Sequence, residues 1–176
     1  MERYVPRAHR RGYTLIELLI VITMLGIASA VVIPSLGSTD VLRVQSTVRA
    51  IVADINVAQS DALAHQHGRA VVFDVQNNRY SILEVNGSTL NAATDTLQVT
   101  DLNNERKFHQ ARIVSADFDG DPVMVFDELG GPVVDPNGST PGSGGSITIS
   151  GSGSVFRITV EPYTGRVTVT KISGPP

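Results

Sequence analysis

Residues 10–34 read RRGYTLIELLIVITMLGIASAVVIP, and this stretch decides the fold. From Leu18 to Ile33 there is no charge. As a helix, Tyr13–Ile33 would be ~32 Å long, enough to cross a hydrocarbon core of roughly 30 Å. One residue interrupts the apolar run near its start. Glu17 places a carboxylate where insertion scales charge on the order of 2.5–3.5 kcal/mol at a helix centre. A residue that costly calls for a function and for a partner.

The surrounding charge orients the run. Residues 1–12 hold Arg3, Arg7, Arg10 and Arg11 against Glu2. The chain carries 14 basic and 17 acidic residues, so the part beyond residue 12 is net acidic. Positive residues stay on the cytoplasmic side, so the chain beyond the run is expected to be exported. With no cysteine, there is no disulfide framework, thiol nucleophile or cysteine-ligated metal. With no tryptophan and few aromatics, the core must come from Val, Ile, Leu and Ala.

A secretory signal peptide would explain the basic start and the small residues Ala28-Ser29-Ala30, but the run is long for one and Glu17 is out of place. A plain membrane anchor explains the length and leaves Glu17 idle. The full pattern, a basic leader ending in Gly12, an aromatic Tyr13, then Thr14, Leu15, Ile16 and Glu17 ahead of a charge-free run and Pro34, resembles type IV pilins and type II secretion pseudopilins. The resemblance implies cleavage by a prepilin peptidase between Gly12 and Tyr13, and methylation of the new Tyr13 amine. The family usually has phenylalanine where this chain has Tyr13. It also supplies a partner for Glu17, the N-terminal amine of a neighbouring subunit. Two charges in an apolar helix bundle offset much of each other's cost when paired, which also fixes register.

Beyond Pro34, which should kink the helix, the sequence DVLRVQSTVRAIVADINVAQSDALAHQHG resumes a helical period. Val41, Val44, Val48, Ile51, Ile55, Ala58 and Ala62 fall three and four apart, one apolar stripe of an amphipathic helix. One kinked helix from Tyr13 to His67 is expected, with Gly68 as its stop. His65 and His67 read as solvated residues at a helix C-terminus.

After Gly68 the period changes to two. Strands are expected at 69–75, 79–85, 107–114, 123–128, 146–150, 155–162 and 165–173, with a short one at TLQV. Gln76-Asn77-Asn78 joins the first pair, and residues 130–146 form a Gly/Pro/Ser-rich loop. The fold class is therefore α+β, a long N-terminal helix packed on antiparallel sheets. The order, together with INVAQSDALAHQHGRAVVF, VFDELGGP, SITIS and ITVEPYTGRV, resembles the GspH/FimT group of minor pseudopilins, which implies a pilin-like fold with two small sheets. The expected parts are a cleaved leader at 1–12, a membrane or filament-core helix at 13–33, an amphipathic helix at 34–68 and a β-rich periplasmic domain at 69–176.

Two further constellations invite chemistry. Asp117, Asp119 and Asp121 alternate, and Glu128 falls at the twelfth position of an EF-hand-like calcium loop. Pro122 stands where that loop needs glycine, and the flanks read as strands, so no metal is expected there. Arg157, Arg166 and Lys171 are close in sequence and would make a small basic patch, but the exported part is acidic, and DNA is not an expected partner. No nucleophile motif or phosphate loop appears, so neither an enzyme nor a cofactor is expected. The resemblance implies a structural subunit of a periplasmic pseudopilus in type II secretion, or alternatively a minor pilin of a type IV pilus serving priming, adhesion or DNA uptake. Implied partners are other pseudopilins or pilins, the prepilin peptidase, an inner-membrane assembly platform and membrane lipid. The implied location is the bacterial inner membrane, single-pass, with the N-terminus cytoplasmic.

Overall fold

The computed structural model describes residues 12–35, 39–103, 108 and 111–174, and the side chains of 30–35 and 39–43 lie outside that description. The leader expected at 1–12 thus falls outside it except for Gly12. The chain divides into two units, one holding α1 and the other, Thr39–Pro176, holding everything else.

In the first unit, α1 runs from Leu15 to Ser35 and is apolar on every side. It runs through Pro34, where the kink is expected, and ends one residue later; residues 36–38 lie outside the described residues. Among the described residues, no helix is long and apolar enough to cross a membrane.

The second unit opens with α2 (Thr39–His65). The stripe is buried as its spacing predicts: Val44, Val48, Ile51, Ile55, Ala58 and Ala62 all pack in the core. Val41 lies outside the described side chains. The helix stops earlier than expected. Gln66, not Gly68, takes the left-handed conformation, at φ 49°. The His67 N–H returns to the Ala62 carbonyl at 3.1 Å, closing a Schellman-type end. Gly68 has a different reason to be glycine. A Cβ there would stand 3.1 Å from both the Phe126 carbonyl oxygen and the Val85 side chain.

Among the described residues, nine strands come after it: β1 (Arg69–Asp74), β2 (Arg79–Glu84), β3 (Thr96–Asp101), β4 (Arg112–Phe118), β5 (Val123–Phe126), β6 (Pro132–Val133), β7 (Gly145–Gly151), β8 (Ser154–Val160) and β9 (Val167–Ser173). They form two antiparallel sheets, ordered β3-β2-β1-β5-β6 and β4-β7-β8-β9. The strand expected at 107–114 lies instead at 112–118. Phe108 sits in the core, and a turn, with the Ala111 N–H on the Phe108 carbonyl, carries the chain into β4. Residues 107, 109 and 110 are outside the described ones. The loop at 130–146 contains a strand the sequence reading lacked. Pro132 and Val133 pair with Phe126 and Val125 at a sheet edge, where a proline takes no ladder donor away.

Both sheets bury one face against α2. Val71, Phe73, Tyr80, Ile82, Met124 and Phe126 come from the first, and Ile113, Ile147, Ile149, Phe156, Ile158 and Val160 from the second. The other face of the first sheet holds a smaller cluster of Ala70, Leu83, Val85, Val125 and Val133. That explains why β1 reads AVVF, apolar at successive positions rather than alternating.

Candidate functional site

Gly12, Tyr13 and Thr14 lead into α1. Thr14 caps it: its hydroxyl accepts the Glu17 N–H at 3.3 Å, and its carbonyl accepts the Leu18 N–H at 3.2 Å. Thr-Leu-Ile-Glu therefore has the spacing of a capping box, with the acid in the first turn, where the helix dipole favours negative charge. Everything around it is exposed, Tyr13 by 81% and Leu15 by 83%. The two polar side chains between Leu18 and Ser29 turn back on the helix. Thr23 donates to the Leu19 and Ile20 carbonyls, and Ser29 to the Leu25 carbonyl. Among its described side chains, the helix thus offers apolar surroundings no unsatisfied hydroxyl, which is what hydrocarbon or a helix bundle demands.

In the second unit, three sequence motifs meet at Gln59, a residue the sequence reading did not single out. Its Nε2 donates to the Gly130 carbonyl at 2.7 Å and to the Thr164 carbonyl at 2.9 Å. The turn after β5 is shaped by Asp127, whose Oδ1 accepts the N–H groups of Leu129 and Gly131. Gly130 and Gly165 both have positive φ, 72° and 64°. A Cβ on Gly130 would come within 2.6 Å of Leu63, and one on Gly165 within 2.6 Å of the Gln59 amide. VFDELGGP and YTGRV therefore carry glycine where two turns close onto the helix.

A second fastening lies at the helix end. Arg69 is buried, and its Nε donates to Asp61 Oδ2 at 2.5 Å. Its Nη1 reaches the His67 and Gly68 carbonyls at 3.2 and 3.1 Å and Glu84 at 3.5 Å. The Arg69 hydrogen bond holds the Asp61 carboxyl below its ordinary value, against the opposing effect of burial. His65 lies 2.9 Å from Asp61, whereas His67 faces Asn86 at 3.3 Å and Glu84 at 3.7 Å. The two imidazoles serve different partners.

Asp117, Asp119, Asp121 and Glu128 do not converge. Asp117 accepts the Gly120 N–H at 3.0 Å, and Asp119, at φ 56°, accepts the Ser143 N–H and hydroxyl. Asp121 closes the β4–β5 turn by exchanging backbone bonds with Phe118. Glu128 lies beyond β5. Among the described residues, no group of three or more His, Asp or Glu could hold a metal ion. The basic trio is dispersed too. Arg166 pairs with Glu161 at 3.2 Å. Arg157 stands opposite Thr170 while Lys171 stands opposite Phe156, so the two point to opposite faces of the sheet.

Residues 7–33 match the prokaryotic N-terminal methylation motif, and residues 47–165 match the family described as type II transport protein GspH. None of the curated proteins matches the chain. Among solved structures, the type IV minor pilin FimU of Pseudomonas aeruginosa superposes with a TM-score of 0.51 at 17% identity, over 74% of this chain and 92% of that one. The minor pseudopilin EpsH from the type 2 secretion system of Vibrio cholerae gives 0.47 at 13% identity, over 73% and 97%. The FimU likeness shows the pilin-like fold.

Proposed function

The chain belongs to the family of type II transport protein GspH, and from that premise we propose that it is a minor pseudopilin, a structural subunit of the periplasmic pseudopilus of a type II secretion system. The observation that carries this reading is α1. A capped Gly12–Glu17 motif heads a helix with apolar residues on all sides and with the Thr23 and Ser29 hydroxyls folded back onto its own backbone. In this reading the prepilin peptidase cuts between Gly12 and Tyr13, and the Tyr13 amine is methylated. The helix from Tyr13 to Ile33 holds the subunit in the inner membrane as a single span, with the periplasmic domain beyond it. On assembly the same helix enters the filament core, where Glu17 meets the amine of a neighbour. The inner-membrane assembly platform and the other pseudopilins are its partners. The families matched are structural subunits, and the role proposed is mechanical.

The alternative is a minor pilin of a type IV pilus, the class to which FimU belongs. Gene neighbourhood separates the two, secretion genes on one side and pilus genes on the other. Mass spectrometry of the membrane-extracted protein tests the shared part. The mature chain is expected to begin at a methylated Tyr13. An intact Met1, or a start near Val31, would overturn both readings.

A further inference from the structure

The turn after β5 presents a leucine to solvent on a backbone that the fold holds still. Leu129 is 81% exposed. Its N–H and that of Gly131 both donate to Asp127 Oδ1, and the Gly130 N–H donates to the Asp127 carbonyl. The Gly130 carbonyl accepts Gln59 Nε2. One exposed leucine is ordinary by itself. This one sits on a backbone fixed in advance, so little backbone entropy would be lost on docking. Beside it, Glu128 is exposed and has no ion-pair or hydrogen-bond partner among the described residues.

The complement lies on the same unit. A groove of about 560 Å³ between α2, β8 and β9 is lined by Val48, Val52, Ala53, Phe156 and Val169, with Arg49 beside them. Arg49 is exposed and likewise has no partner among the described residues. An apolar group alone would fill the groove while stripping water from this guanidinium with nothing in return. An apolar side chain with a carboxylate next to it would serve both. The chain's own Glu128-Leu129 pair does not reach that place within one copy. Gly130 is tied to Gln59 and abuts Leu63, which lie about 10–16 Å beyond Val52 along α2.

We propose that the Glu128-Leu129 turn of one copy docks in the groove of a second copy of this chain, with Leu129 entering the groove and Glu128 pairing with Arg49. The contact joins two different patches. Where one such contact forms, a turn and a groove remain free, so it can repeat from copy to copy as an open filament requires. The proposal rests on the filament reading above.

Disulfide trapping tests it, because the chain has no cysteine of its own. A disulfide forms only where two Cα atoms come within about 7 Å. Full-length chains carrying Leu129→Cys, which keeps that position apolar, are coexpressed with chains carrying Ala53→Cys, at an exposed position of the groove. Oxidation of the assembled filament should give at least about tenfold more disulfide dimer from the mixture than from either variant alone. Glu128→Arg on the first chain, or Arg49→Glu on the second, should keep the parent's melting temperature and lower that dimer several-fold. The two reversals together should restore it to within about twofold. Filaments in which the mixture gives no more dimer than either variant alone overturn the proposal and leave the filament reading standing. So do reversals that change nothing singly, or that do not rescue each other. Mass spectrometry of the adducts identifies the occupant, and adducts formed only with a different subunit also overturn the proposal. A parent chain that never enters a filament overturns the filament reading, and this proposal with it.

Discussion

The two helices of this chain solve opposite problems. Along α2 the apolar residues fall on one stripe, and the stripe is covered by the chain's own sheets. Along α1 they fall on every side, and the large ones whose side chains are described are exposed, from 48% at Ile20 and Val21 to 83% at Leu15. A helix apolar on all sides is ordinarily buried in a core, a bilayer or a bundle. The contrast fits an α2 shaped by this chain's own sheets and, on the proposed reading, an α1 shaped by bilayer or filament core.

The largest effect comes from placing the same charge in each helix. Ile55→Asp buries a carboxylate with no cation beside it, and should cost more than about 4–5 kcal/mol, enough to unfold the domain. Leu19→Asp should leave the domain's urea midpoint unchanged and instead lower retention in the membrane fraction. A Leu19→Asp variant whose sheets melt early would erase the distinction between the helices.

The next effect concerns Glu17. On the proposed reading, its replacement by Ala should not disturb processing, since the proposed scissile bond is at Gly12, and insertion should be slightly easier. Assembly should suffer, because the Tyr13 amine proposed as its partner would be left unpaired. Losing one partner of a fully buried pair costs roughly 3–5 kcal/mol. Glu17→Gln should also fail, keeping shape without charge. Cross-linking of processed subunits, with a secretion assay beside it, reads the outcome. Parent-level cross-links in Glu17→Ala would end the charge-pair account.

A smaller effect sharpens how α2 is held. Gly130→Ala forces a Cβ toward Leu63 at positive φ, and should cost about 2–3 kcal/mol. Gln59→Ala leaves the Gly130 and Thr164 carbonyls without their donor and should cost about 1–2 kcal/mol, both turns being partly open to water. Urea unfolding gives both values. If Gln59→Ala changes nothing, the turns hold themselves and the amide is incidental.

Legibility in the sequence tracked the range of the forces involved. The α2 stripe, the apolar run and most strands announce themselves through local periodicity. The Gly12–Glu17 motif was legible because its residues are adjacent. Gln59 was not, because its partners lie 71 and 105 residues away and a lone glutamine carries no pattern. The glycines it touches were visible as turn residues, without the helix that makes them necessary. β4 was misplaced because Phe108 is core material delivered by a turn, which hydropathy cannot distinguish from a strand. The groove beside Arg49 was likewise invisible, since its walls come from α2, β8 and β9, far apart in the sequence.

The smallest effect contrasts the two helices' carboxylates. The proposed partner of Glu17 comes from another chain, whereas Asp61 has its partner, Arg69, within its own unit. Hydrogen bonding to Arg69 is the main reason the Asp61 carboxyl stays below its ordinary value of 3.8; the charges of Arg69 and His65 act in the same direction. A carboxylate depressed in the folded state contributes stability above its unfolded value and loses it as pH falls through its folded value. The contribution should therefore be constant from neutrality to about pH 4 and fade below that, by at most about 1.4 kcal/mol per pH unit for one group. Asp74 and Asp95 are lowered in the same direction, chiefly by the Asn77 and Asn86 side chains, so the parent's acid limb is shared. Asp61→Asn isolates one share. It should lower the urea midpoint at pH 7 and make the fall from pH 4 to pH 3 shallower than the parent's. The loss at pH 7 is limited because Arg69 keeps Glu84 and the His67 and Gly68 carbonyls. Parallel curves for parent and variant across that interval would mean that the Arg69 pair does not carry the acid sensitivity of the helix-to-sheet junction.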